Sequence, residues 1–176
     1  MADDRHRLRR TFDSAADLYQ RARPEYPKEL YDALVRTARI SAGDQLLEVG
    51  SASGKATDQF FVEVKEVYDG IGESLPEGVT RPRPGELTDD RAEIDQSRLF
   101  EEVVVRQFDW EVSYDAEEYL RLLDTFSGHI AMEAGKRRHL YAEIRRRLSQ
   151  RPDGRLRRHW GAVLHVARRA DRSSVL

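Results

Sequence analysis

The sequence predicts a mixed α/β fold with a small sheet, and three observations carry that reading. Apolar residues recur at helical spacing over 28–39, from Gly54 to Tyr68, and over two stretches beyond Asp115. Residues 103–114 and 156–166 alternate apolar with polar side chains, the period of a strand with one buried face. Between the first two helical stripes, "QLLEV" runs into small residues at Gly50, Ala52, Ser53 and Gly54, where a buried strand would turn into a helix.

In chain order, "KELYDALVRTAR" places Leu30, Tyr31, Leu34, Val35 and Ala38 on one face, with Pro27 suited to the first helical turn. "SAGD" at 41–44 is a turn, and residues 45–49 form a short strand that bends at Gly50. The helix from Gly54 carries Phe60, Phe61, Val64, Val67 and Tyr68 as its stripe. Residues 70–88 hold Gly72, Pro76, Gly78, Pro82, Pro84 and Gly85, which suits a linker and excludes a regular element. A short helix is expected around 89–98. In "VVVRQFDWEVSY", Val104, Phe108, Trp110, Val112 and Tyr114 share one side, with Arg106 out of pattern. Asp115 caps a helix carrying Tyr119, Leu120, Leu123 and Phe126 that Gly128 ends, and a further helix runs through Leu140, Tyr141, Ile144 and Leu148. "PDG" at 152–154 turns the chain into a last strand with Leu156, Trp160, Ala162, Leu164 and Val166 inward, expected to pair with the strand at 103–114.

Charge is divided along the chain. Glu63 to Asp124 holds 18 acidic and 7 basic residues, a net of −11, and Lys136 to Arg169 holds 12 basic and 2 acidic, a net of +10. The basic stretch raises nucleic-acid binding through phosphate contacts, but its aromatic interleaving is sparse and the acidic half is suited to neutralising it. The absence of cysteine excludes disulfides, thiolate metal sites and thiol catalysis and fits a reducing compartment. No apolar run approaches the ~20 residues of a membrane span, and the start lacks the apolar stretch of a secretory signal, so a cytoplasmic protein without a membrane partner is expected. His6, His129, His139, His159 and His165 include no pair at the i, i+4 spacing of a helical metal site, and none is expected to hold a metal.

A strand that ends in Glu48 and passes through small residues into a helix lets a ligand approach the backbone, and the helix N-terminus adds exposed N–H groups. Strands also meet helices in this way for packing alone, so the turn by itself decides nothing. Three further segments extend the pattern: "FDSAADLYQRARPEYPKELYDAL" at 12–34, "DWEVSYDAEEYLRLLDTFSGH" at 109–129 and "RRHWGAVLHVARR" at 157–169. Together with "LLEVGSASGKAT" they resemble class I S-adenosylmethionine-dependent methyltransferases, nearest the small-molecule enzymes of ubiquinone/menaquinone-biosynthesis and trans-aconitate type. The most specific parts are the opening at Phe12 to Pro27 and the loop at Glu48 to Gly54.

The resemblance implies a Rossmann-like fold, S-adenosylmethionine as cofactor and a small-molecule methyl acceptor. It assigns Gly50, Ala52 and Gly54 to backbone contact with the methionine part and Glu48 to its charged end. Ala52 stands where the family has glycine, which implies weaker binding. Tyr19 and Arg23 correspond to lid residues, an aromatic ring and a guanidinium suited to a sulfonium, an adenine and a carboxylate. His129 and Tyr114 fall in the region that faces substrate, and no catalytic residue is assigned.

From Lys55 to Glu102 there are only 48 residues, too few for the several βα units of roughly 30 residues that a doubly wound domain needs. The expected architecture is therefore one incomplete methyltransferase-like domain over 1–176, in three parts. Residues 1–69 carry the lid and cofactor turn, 70–88 the linker, and 89–176 a strand-helix-helix-strand region whose strands pair antiparallel. Its exposed sheet edge favours a homodimer. Two alternatives stand beside the enzyme: an inactive remnant acting as a binding module, and a nucleic-acid binder using the basic C-terminal region.

Overall fold

The computed structural model describes residues 19–41, 59–73, 87 and 89–170. The expected strand at 45–49 and its turn lie outside the described residues. Among the described residues the fold is mixed α/β with one sheet, a ribbon of β1 (Phe100–Tyr114) and β2 (Leu156–Arg169). Ala170 N–H donates to Leu99 C=O at one end, and Arg155 reaches Ser113 at the other, which fixes the pair as antiparallel. The pairing expected from the two alternating segments is thus observed. The helices are α1 (Lys28–Ala38), α2 (Gln59–Gly70), α3 (Arg91–Ser97), α4 (Ala116–Leu123), α5 (Ser127–Ala131) and α6 (Ala134–Ser149). None is long and apolar enough to cross a membrane.

The chain divides into two compact units, each assembled from three segments. The first joins residues 1–25, 56–79 and 112–158. In it α6 packs against α2 and α4, because each helix turns a stripe of apolar residues at i, i+3 and i+4 spacing toward the others. Phe60 and Val64 of α2, Leu122 of α4, and Leu140, Ile144 and Leu148 of α6 are buried, each contributing roughly 1.5–3 kcal/mol by leaving water. Asp115 caps α4 as expected: its carboxylate accepts the Glu118 N–H at 2.8 Å, and the Glu118 carboxylate accepts the Asp115 N–H at 2.8 Å. Arg155, just beyond the 152–154 turn, donates to Ser113 and Glu118, tying this cap to the end of the ribbon. Gly154 supplies the left-handed residue of that turn at φ 64°.

Helix α4 does not run to Gly128. It stops at Leu123, where the Thr125 and Phe126 N–H groups bond back three residues and Phe126 turns extended at φ −93°, ψ 132°. Gly128 then lies inside α5 and ends nothing.

The second unit joins residues 26–55, 80–111 and 159–176. Here α1 buries Leu30 and Ala33 and half-buries Leu34, whereas Tyr31 and Val35, expected inward, are about half exposed at 49% and 51%. The buried stripe is narrower than the apolar one because Tyr31 spends its ring on an edge contact with Tyr26, whose own ring meets Trp110 at 5.9 Å. Strand β2 buries Trp160 and Ala162 as its alternation predicts. Strand β1 keeps Phe108 and Trp110 inward but buries Val103, not Val104, which is 36% exposed. Arg106 and Gln107 are both exposed, so the alternation slips by one residue there, the signature of a bulge. That slip is also why Arg106 looked out of pattern.

Candidate functional site

The first unit gathers two sets of residues that sequence reasoning proposed separately, the lid pair Tyr19 and Arg23 and the distal His129. Residues 19–22 form a helical turn that closes with the Arg23 N–H on the Tyr19 C=O at 3.0 Å, and Pro24 prevents its continuation. Tyr19 and Arg23 thereby stand one turn apart on one face. The Arg23 guanidinium lies 4.8 Å from the Tyr19 ring centroid and 4.4 Å from that of Phe126. Its Nε donates to Thr125 Oγ1 at 3.0 Å, and that hydroxyl donates onward to the Leu122 C=O at 2.7 Å.

Phe126 is the pivot. Its extended backbone between α4 and α5 presents the ring to a second guanidinium, that of Arg158, at 5.5 Å. Arg158 is nearly fully buried on the inward face of β2. One helical turn beyond Phe126, His129 sits among the rings of Phe126, Tyr68 and Tyr141, at centroid distances of 5.9–6.4 Å. The Tyr68 hydroxyl and His129 Nε2 are hydrogen-bonded at 2.7 Å. The Tyr141 hydroxyl donates to Asp124 at 2.7 Å. Burial first, and the adjacent Asp124 carboxylate second, push the Tyr141 phenol above its ordinary range.

This arrangement offers two chemistries. The faces of Tyr19 and Phe126 accept cations, with Arg23 itself as the cation they now hold, and cation–π contact suits any compact or delocalised positive group. Beside them, the Tyr68–His129 pair can hold or pass a proton.

The remaining expectations divide. Glu48, Gly50, Ala52 and Gly54 lie outside the described residues. Tyr114 is buried, its ring against that of Tyr119. Among the described residues no group of three or more His, Asp or Glu could hold a metal ion. The basic stretch is answered by carboxylates: Lys136 pairs with Glu73, Arg145 forks onto Glu117 at 2.6 and 3.1 Å, Arg146 pairs with Glu143 and Arg155 with Glu118. The guanidiniums hold Glu117 and Glu143 below the usual carboxylate range.

Sequence reasoning placed Tyr68, Phe126 and Tyr141 only in helical core stripes and did not single out Thr125, Asp124 or Arg158. A usable signal was present, since a tyrosine on an apolar stripe needs a partner for its hydroxyl. Compared with family models, curated proteins and solved structures, the chain matches none.

Proposed function

We propose that the chain is an S-adenosylmethionine-dependent methyltransferase of small-molecule type, built on a shortened Rossmann-like domain. The observation that supports this reading is the meeting of Arg23 and Tyr19 with Phe126, about a hundred residues apart in sequence, next to His129. The resemblance assigns the first pair to the cofactor lid and the last residue to the substrate side, and the two share one cluster.

The cofactor fits the donor set. Two aromatic faces that hold a guanidinium also suit a sulfonium, and Arg23, turned off them, suits a carboxylate. Glu48, Gly50, Ala52 and Gly54 would hold the methionine part. The chemistry supplied by bound S-adenosylmethionine is a methyl group already activated by its sulfonium, so the chain's task is alignment and the exclusion of water. His129, paired with Tyr68, is the group in reach to take a proton from an acceptor. A cytoplasmic protein that pairs with a second copy through a ribbon edge completes the proposal.

A second reading, an inactive remnant that binds a partner, is favoured by the single two-stranded sheet among the described residues. Calorimetry separates the two. Saturable binding of S-adenosylmethionine and S-adenosylhomocysteine, lost in Gly50→Arg and weakened in Glu48→Ala, supports the enzyme. No heat at millimolar ligand, from folded protein, leaves the remnant.

A further inference from the structure

The second unit carries a contact whose chemistry fixes a protonation state. The Asp90 N–H, at the entrance to α3, donates to His165 Nε2 on β2 at 3.1 Å. A ring nitrogen accepts a hydrogen bond only through its lone pair, so His165 is neutral here and its proton sits on Nδ1. An imidazolium has N–H at both positions and would face one donor with another.

Among the described residues few other bonds hold this segment. Helix α3 has no buried residue, and Asp90 makes no side-chain capping bond. Besides His165, Gln107 Nε2 donates to the Leu87 C=O at 2.8 Å, and the far end is tied where the Ala170 N–H meets the Leu99 C=O. We infer that His165 is a proton-operated latch on the Asp90 amide: neutral, it holds that N–H, and protonated, it gives it up. The inference is independent of the proposed activity.

The surrounding charges give the direction. Asp89, Asp90 and Arg91 stand at the start of α3, Asp89 already accepting the Arg91 N–H at 3.1 Å. On the ribbon, Arg106 lies on the facing stretch of β1 and Arg168 is committed to Glu101 and Glu102. The Asp90 carboxylate is the group an imidazolium would turn to, which moves the ring off the backbone amide. His159, on the same strand, responds in the opposite sense, since its Nε2 lies 3.0 Å from Glu111 Oε2 and protonation turns that contact into an ion pair. Protonation of His165 therefore frees the Asp90 amide while the ribbon holds.

Hydrogen exchange at the Asp90 amide tests this, corrected for intrinsic rate. Protection in the wild type falls roughly two- to tenfold between about pH 7.5 and about pH 5, the factor one such hydrogen bond contributes. It is low and independent of pH in His165→Phe, and it still falls in His159→Asn. An unchanged wild-type protection, or the same fall in His165→Phe, overturns the latch. Should His165→Phe fail to fold, nitrogen NMR of the wild-type ring decides: an unprotonated Nε2 at neutral pH supports the latch, and an Nε2–H tautomer overturns it.

Discussion

Replacing Tyr141 with phenylalanine removes one hydroxyl and leaves the ring, which isolates the Tyr141–Asp124 contact beside the His129 cluster. The lost bond is 2.7 Å long and half-buried, so Tyr141→Phe should cost about 0.5–1.5 kcal/mol near neutral pH. Its pH dependence is more diagnostic. Burial and Asp124 raise the folded phenol above the unfolded value of about 10. As pH rises through that value the unfolded chain loses its proton first and binds fewer protons than the folded one, so stability falls. The contribution is fully present below about pH 10 and is lost progressively above it, at a limiting slope of about 1.4 kcal/mol per pH unit for one proton. Solvent screening at a half-buried site reduces this to under about 1 kcal/mol between pH ~10 and ~11. Urea unfolding of both proteins at about pH 8, 10 and 11 should give a difference that is largest at pH 8 and shrinks above pH 10. A difference that stays constant over that range would refute the reasoning.

Three further outcomes are expected. Ile144→Ala, at a fully buried position of α6, should lower the urea-derived stability by roughly 2–5 kcal/mol. Asp115→Ala removes the side-chain arm of the α4 cap and should cost about 1 kcal/mol, with circular dichroism showing the remaining helices in place. Phe126→Leu takes the shared ring from Arg23 and Arg158 and should weaken S-adenosylmethionine binding about tenfold in calorimetry, whereas Phe126→Tyr, which keeps a ring face, should retain most of it.

The sequence was most readable where one local rule decides the outcome. Asp115 followed by Glu118 is a capping box in any context, and the alternation around Trp160 can bury only one face of a strand. It was least readable where a tertiary partner overrides the pattern. Val103 replaces Val104 in the interior because the strand slips at Arg106 and Gln107, which the apolar pattern shows only as Arg106 out of place. Gly128 resembles a helix stop, but the stop is made earlier by Thr125 and Phe126, whose backbone and side chains are committed to Leu122, Leu123 and Arg23. Tyr31 and Val35 belong to an apolar stripe wider than the surface available to cover it. At the candidate site, Tyr19, Arg23 and His129 came from resemblance. Their meeting on Phe126 depends on a contact between residues 102 apart, a separation no local periodicity encodes.

The central claim is that the ring cluster of the first unit is a cofactor site, and NMR mapping with S-adenosylhomocysteine tests it most directly. The account predicts saturable shifts at Tyr19, Arg23, Phe126 and His129. Folded protein whose resonances at these positions do not move at millimolar ligand would contradict it.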